Sequence, residues 1–458
     1  MEVRWHTLAF TAGLTVAALV LPRGPRPAHA TQGDGAQRDA FLEAVDAIGR
    51  EALGADTAAL IVAVDVEGDV LVRGLGAEDG QPDGDTLLQA GPLFSCFLSV
   101  AALALAEDGR LDLQSSLSEH LPELPYGALG VCVDHLLTHT SGIPGYGELL
   151  RSARSDDGED DEGRILKWLR GGPLDSDPGG CANYSETDDL LLALVLQRVA
   201  GRNVAALLEE LVFAPAGMES TAFVDEADGG SAGPVEHEFA GAFEDRAGTL
   251  PPLGAQRLLT TAGDLLRFQR ALVEHRLLPE SALELRATPP HLSDGSRADC
   301  GRGISLTGLG DQTSHSAGGG IAGERILLAY YPALDTTIVA WGTGDGPPVE
   351  RIAARVARVL LDLETPVVRD LATSAEERAR HAGDYYAGCT NYAVADEERH
   401  LVLYPPTGPR RVLLHQGGER FVASDDPDVC LEFESEGGRV VAFTLIEHGA
   451  SLRARRLL

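Results

Sequence analysis

The sequence predicts an α+β protein: an antiparallel sheet flanked by helices, with a large helical insertion, followed by a small C-terminal all-β, barrel-like domain. Three observations predict it. A helical stretch and a hairpin open the chain (Arg38–Leu53, then Ala58–Val66 and Val70–Gly76). A hairpin and a helix return much later (Ile326–Pro332 and Thr336–Gly342, then Pro348–Leu363), so both ends can close one sheet around a long helical middle. Beyond the polar stretch Leu371–Arg380 the texture changes to short alternating runs with turn signals, HLVLYPP, RRVLLHQ, RFVAS and CLEFES among them, which read as a small barrel or sandwich.

Taken in order, the chain starts with a charged MEVRWH, an apolar run from Thr7 to Leu21, and Ala28-His29-Ala30. These are the parts of a signal peptide, with cleavage expected after Ala30 and export to a periplasm or beyond it. The apolar run is about 15 residues, short for a membrane span, and no later stretch is long enough to cross a bilayer. Residues 31–370 are expected to form the first domain and 375–458 the second. The formal net charge is −33, and loss of Arg4, Arg23, Arg26 and Glu2 leaves the exported chain near −35. Such a surface repels phosphate backbones and anionic lipid, which argues against nucleic acid as a partner.

Six cysteines (96, 132, 181, 300, 389 and 430) are available for disulfides in an oxidising compartment, and Cys389 is expected to pair with Cys430 inside the C-terminal domain. No CxxC spacing suggests a cysteine zinc site, and neither a metal nor a cofactor is expected. The acidic run within Arg151–Gly163 lacks the ligand spacing of a calcium loop and reads as a solvated loop. Lys167 is the sole lysine in the chain, so any mechanism that needs a lysine has one candidate.

The middle is organised around Thr86–Leu111. It reads as a short strand (Thr86–Ala90), a turn at Gly91-Pro92, and a helix ending near Gly109 that is apolar on nearly every face, hence central and buried. Pro92 suits a first helical position, since its missing N–H would be unpaired there anyway. Gly127–Thr140 reads as a short helix carrying His135 and His139, Asp189–Ala200 and Val204–Val212 as helices split by Gly201, and Thr260–Val273 as a helix capped by Thr260 or Thr261.

Six separated stretches carry a family likeness: TLLQAGPLFS (86–95), EDGRLDL (107–113), HLLTHTSGIPGY (135–146), PGGCANYSETD (178–188), FAPAGMESTAF (213–223) and TTAGDLLRF (260–268). The chain resembles the serine β-lactamase and penicillin-binding-protein-like hydrolases, in the branch of class C β-lactamases, esterases and D-aminopeptidases. HAGDYY (381–386) is similar to the opening of the small β domain often appended in that branch. The resemblance implies three motifs: S-x-x-K at the start of the central helix, Y-x-N on a facing loop, and K/H-T/S-G on an inner strand.

Each motif departs from the pattern. In ungapped register the nucleophile position falls on Pro92 and the lysine position on Ser95. Position 92 then lacks a hydroxyl and an N–H that the resemblance assigns to the oxyanion hole, and loss of one such donor costs roughly 100–1000-fold in rate. Lys167 is preceded three residues earlier by Arg164, so the chain contains no S-x-x-K at all. The second motif reads Tyr184-Ser185-Glu186, with glutamate for asparagine; Glu186 is expected to pair with an arginine or to have a raised pKa. The third reads His315-Ser316-Ala317 before three glycines, so Ala317 takes the glycine position or one residue is inserted.

The sequence therefore reads as a pseudo-enzyme with no intact catalytic set. Its vestigial site is Pro92, Ser95, Tyr184, Glu186, His315, Ser316 and Ala317, and Tyr184, His315 and Ser316 are its candidate ligand-binding groups. The expected ligand is a peptide or cell-wall-derived small molecule. Two alternatives stand beside this: a weak hydrolase using Ser95 or Cys96 with Tyr184 or Glu186 as base, and a structural interaction module working through the C-terminal domain. Gly229–Gly233 matches G-x-S-x-G without the required strand and helix around it, and His135 and His139 are read as scaffold rather than a metal pair.

Overall fold

In a computed structural model, the described residues are 35–53, 57–76, 81–147, 161–223, 258–310, 312–321, 323–344, 348–387, 390–406, 410–447 and 450–457. The expected α+β architecture is present. Strands β1 (Thr57–Val66), β2 (Asp69–Gly76), β6 (Ser305–Leu309), β7 (Gln312–Ile321), β8 (Glu324–Tyr331) and β9 (Thr336–Gly344) form one antiparallel sheet in the order β2-β1-β9-β8-β7-β6. The N-terminal hairpin pairs with the late one through β1 and β9, with Ile61 opposite Trp341, so the two ends of the first domain do close the sheet. β6 and β7 were not readable as strands from residues alone: QTSHSAGGGI is poor in β-branched side chains and rich in glycine.

One face of the sheet is covered by α1 (Gly35–Ala52) and by a late helix, Val349–Leu360, whose Ile352, Val356 and Leu360 recur at helical spacing and bury against β1, β8 and β9. The other face carries the helical region, built on α2 (Leu93–Glu107). A second sheet of three very short strands, β3 (Leu88–Gln89), β5 (Leu258–Thr260) and β4 (Ala222–Phe223), ties down the entry to α2. Ala90 N–H donates to the Leu258 carbonyl at 2.8 Å. Twelve of the fifteen residues of α2 are buried, which makes it the core's central rod. Phe97 alone meets Phe213 and Phe268 edge-on, with ring centroids 5.4 and 4.9 Å apart, and burial of such a side chain contributes roughly 1.5–3 kcal/mol.

Two helical segments matter for the site. α3 is only Val133–Leu137, so His139 lies beyond it rather than one turn after His135 on the same helix, as the spacing suggested. α4 (Glu186–Ala200) is N-capped by Ser185, which accepts from Thr187 N–H at 3.2 Å, and stops at Gly201 in the left-handed conformation (φ 70°). Its first turn holds Glu186, Asp188 and Asp189, where the helix dipole favours negative charge. The helix predicted from Thr260 is α5 (Ala262–Val273), capped by Thr261; the helix on the sheet's outer face is α6 (Val349–Leu360).

The polar stretch 371–380 is not only a linker. Ser374 and Glu377 form a capping box that starts α7 (Ala375–His381), and His381 is buried with Nε2 2.6 Å from Glu419 Oε2. Strands β10 to β17 (Gly383–Ala387, Thr390–Glu397, His400–Tyr404, Arg411–Gly417, Arg420–Ala423, Val429–Glu436, Arg439–Glu447 and Ala450–Arg456) then close into a barrel, β10 pairing with β17. Tyr385, Phe421, Phe433 and Phe443 fill its interior, so it is a packed core and not a ligand cup. Arg358 of α6 bonds Asp428 of the barrel, and β17 lies beside β6. Cys430 is a buried free thiol, which removes the expected bridge to Cys389; Cys389 itself lies outside the described residues.

Candidate functional site

Pro92 caps α2 with helical angles (φ −63°, ψ −11°). Its ring packs against β7, where a Cβ on Gly319 would stand 2.8 Å from Pro92 Cγ. Gly319, two residues past Ala317, is therefore the residue opposite position 92, which neither Ala317 nor a single inserted residue would place there. His315 lies four residues back, about 13 Å along an extended strand. It packs across from Tyr330, ring centroids 6.4 Å apart, and burial together with the Arg286 charge pushes its pKa down to about 4. Ser316 points to the opposite face of the sheet. There it bonds Thr307 Oγ1 at 3.1 Å and lines a cavity of about 290 Å³ beneath α6. Ala317 packs into the core under α2. The expected grouping of His315 and Ser316 with Tyr184 is thus corrected: β7 reaches position 92 through Gly319, and neither polar residue of the motif does.

Around Ser95 a different cluster assembles. Ser95 is 8% exposed, its N–H bonded to the Pro92 carbonyl at 3.3 Å. Its Oγ lies 3.3 Å from His139 Nε2. His139 Nδ1 lies 3.3 Å from Asp188 Oδ2, and Asp188 Oδ1 accepts from Ser141 Oγ at 2.5 Å. Tyr184 Oη donates to Asp189 Oδ2 at 3.2 Å, and the Tyr184 ring meets His139 edge-on at 4.8 Å. His139 arrives here because its backbone turns to positive φ (49°) just after α3 ends, a conformation that costs a non-glycine residue energy and recurs at functional sites.

The protonation states follow from this geometry. Burial opposes a charged His139, but the hydrogen bond to Asp188 and the charges of Asp189, Asp188 and Glu186 outweigh it and raise its pKa. Burial pushes Asp188 up to about 6, with the His139 and Ser141 bonds holding it from going higher. In its protonated form, which the surrounding carboxylates favour, the ring donates Nδ1–H to Asp188 and Nε2–H to Ser95 Oγ; the Ser185 N–H also points at Nδ1, at 3.5 Å. Enclosure of the Tyr184 hydroxyl, and then the Asp189 and Glu186 charges, raise that phenol well above its usual range, so it stays protonated, although half of the residue's surface is open.

His139 thus places an imidazole of raised pKa next to Ser95, the position where the resemblance expects lysine. Residue patterning placed His139 in the scaffold; its lone signal was proximity in sequence to the HTSG stretch. Glu186 accepts the Gly147 N–H at 2.6 Å, and among the described residues it has no arginine partner. Cys96 is a free thiol, 2% exposed, with Arg286 Nη2 2.9 Å from its sulfur. A cation is therefore nearby after all, yet burial dominates and raises the thiol's pKa. His135 accepts the Cys132 N–H at 3.2 Å as part of the α3 cap. No metal-binding group of histidine, cysteine and carboxylate side chains occurs among the described residues. Gly229–Gly233 and most of the acidic loop before Lys167 lie outside them.

The family model for beta-lactamase matches residues 45–363. The chain belongs to the beta-lactamase family. Among curated relatives, the Putative penicillin-binding protein PbpX of Bacillus subtilis is 25% identical over 272 residues, covering 57% of this chain and 65% of that one. Penicillin-binding protein 4* of the same organism is 23% identical over 403 residues, 81% of this chain and 88% of that one. Among solved structures, SurE with D-Leu superposes with a TM-score of 0.59 at 23% identity, covering 93% of this chain and all of that one. That likeness establishes the fold. Within a beta-lactamase-family frame, the site has a proline ring at the helix start and an imidazole between a serine and two carboxylates.

Proposed function

We propose that this protein is an exported, non-catalytic member of its family, whose cleft binds a peptide or cell-wall-derived ligand without forming a covalent bond. One observation carries the reading: position 92 holds a proline ring seated against Gly319, with neither a hydroxyl to attack nor an N–H to steady an oxyanion. The Ser95 hydroxyl lies 3.3 Å from His139, whose pKa is raised, and the protonated ring donates to that hydroxyl and does not draw off its proton. Intact-mass spectrometry after incubation with labelled penicillin or a fluorophosphonate tests this. No mass increase is expected, and an adduct on any serine overturns the reading.

A second reading has its own observation. Ser95, His139 and Asp188 stand in the order nucleophile, base and orienting acid, at 3.3 Å per link. A weak hydrolase built on them needs neutral His139. Because the His139 pKa is raised, turnover of a nitrophenyl ester would appear only as pH climbs through that raised value. It would vanish in Ser95→Ala. Ester turnover that is flat with pH, or that survives Ser95→Ala, removes this alternative.

A further inference from the structure

Asp189 is 5% exposed in the first turn of α4. Its Oδ2 accepts the Tyr184 hydroxyl, but Oδ1 accepts no hydrogen bond. The nearest basic side chain is His139, with Nε2 4.0 Å from Oδ1, and its two ring nitrogens are directed elsewhere, to Asp188 and Ser95. Asp188, Asp189 and Glu186 all act on this one imidazole. No arginine or lysine among the described residues forms an ion pair with Asp189. Burial raises the Asp189 pKa, opposed by His139 and by the Ser95 and Tyr184 hydroxyls; Oδ1, which meets no donor at hydrogen-bond distance, is costly to bury.

We infer that Asp189 Oδ1 is the seat for a primary ammonium group of the cleft's ligand, with Ser95 Oγ and Tyr184 Oη as the other two acceptors. Three acceptors match the three N–H bonds of an ammonium. Tyr184, half exposed and bonded to Asp189 through its hydroxyl, offers a ring whose π face favours a cation. An acylated amine has one N–H and no charge, so it would leave Oδ1 unpaired. The inference rests on the binding reading above and names the group that is bound.

Calorimetric titration with D-alanyl-D-alanine and with its N-acetyl derivative tests it. The free-amine dipeptide is expected to bind at least about tenfold more tightly, as suits a charge-assisted hydrogen bond. Asp189→Asn should abolish the preference while its thermal unfolding stays cooperative. A second readout needs no variant. Saturating free dipeptide brings a cation close to His139 and should lower its titration midpoint in the wild-type protein, whereas the acetylated dipeptide should not. Equal affinities, a preference that survives Asp189→Asn, an unmoved His139 midpoint or no binding of either dipeptide each overturns the ammonium site. Equal, non-covalent binding of both dipeptides would leave the binding reading standing. A fluorophosphonate adduct would remove that reading separately.

Discussion

Asp188→Asn should collapse the charge that organises the site. In the wild-type protein His139 Nδ1 lies 3.3 Å from Asp188 Oδ2, and Asp188 is fully buried. At an effective dielectric of about 20, two unit charges at that separation attract by about 5 kcal/mol, worth about three to four pKa units as an upper figure. The other groups facing the imidazole remain: Asp189 at 4.0 Å, Glu186, and the Ser95 and Tyr184 hydroxyls. They preserve part of the attraction, while the burial penalty on the cation is untouched. The expected result is a fall of roughly one to three units in the His139 pKa from its raised position in the wild-type protein. The assay is an NMR titration of the imidazole ring protons, with His139 picked out from the 13 histidines by its absence in His139→Gln. If His139 in Asp188→Asn titrates no lower than in the wild-type protein, Asp188 does not sustain the charge, and the argument that the carboxylates favour a protonated ring beside Ser95 fails with it.

Three further outcomes are expected. Gly319→Ala puts a methyl 2.8 Å from Pro92 Cγ on a backbone at φ 154° and should lower stability by about 1–3 kcal/mol; Pro92→Ala should relieve the steric part and leave the backbone strain, so a double-mutant cycle by denaturant unfolding must show non-additivity. Arg302 is buried and grips Asp134 with Nε at 2.6 Å and Nη2 at 2.9 Å. Arg302→Leu strands that carboxylate and should cost about 3–5 kcal/mol, read by the same unfolding curves. Cys96, buried with a raised pKa, should resist iodoacetamide at pH 8 in the native protein and react fully in denaturant; rapid native alkylation mapped to Cys96 by peptide mass would contradict its placement.

Much of the scaffold was legible because it is written in periodicity. The outer helix shows Ile352, Val356 and Leu360 at helical spacing, and the barrel strands alternate. The departure at Pro92 was equally plain, since the identity of one residue decides it. What stayed hidden depended on geometry that no local pattern encodes. His139 looked like one member of an i, i+4 pair until the helix was found to end at Leu137 and the backbone to swing to positive φ. Asp188 and Asp189 looked like ordinary acidic residues at a helix start; their burial comes from the tertiary packing of α4 onto α2 and the α3 segment. The register of β7 was misjudged because glycines carry no side chain by which one position can be told from the next, and only the contact between Gly319 and Pro92 fixes it.

The placement of β17 beside β6 has a bearing on how the two halves of the chain live together. β6 is the last strand of its sheet, with a neighbour on one side only. A chain cut off before the barrel would bare that margin to other copies of itself, as unguarded strand margins do. The barrel then acts as a chaperoning cover for the first domain's flank, and shortened forms of the protein are expected to clump during expression even though every cleft residue is still encoded.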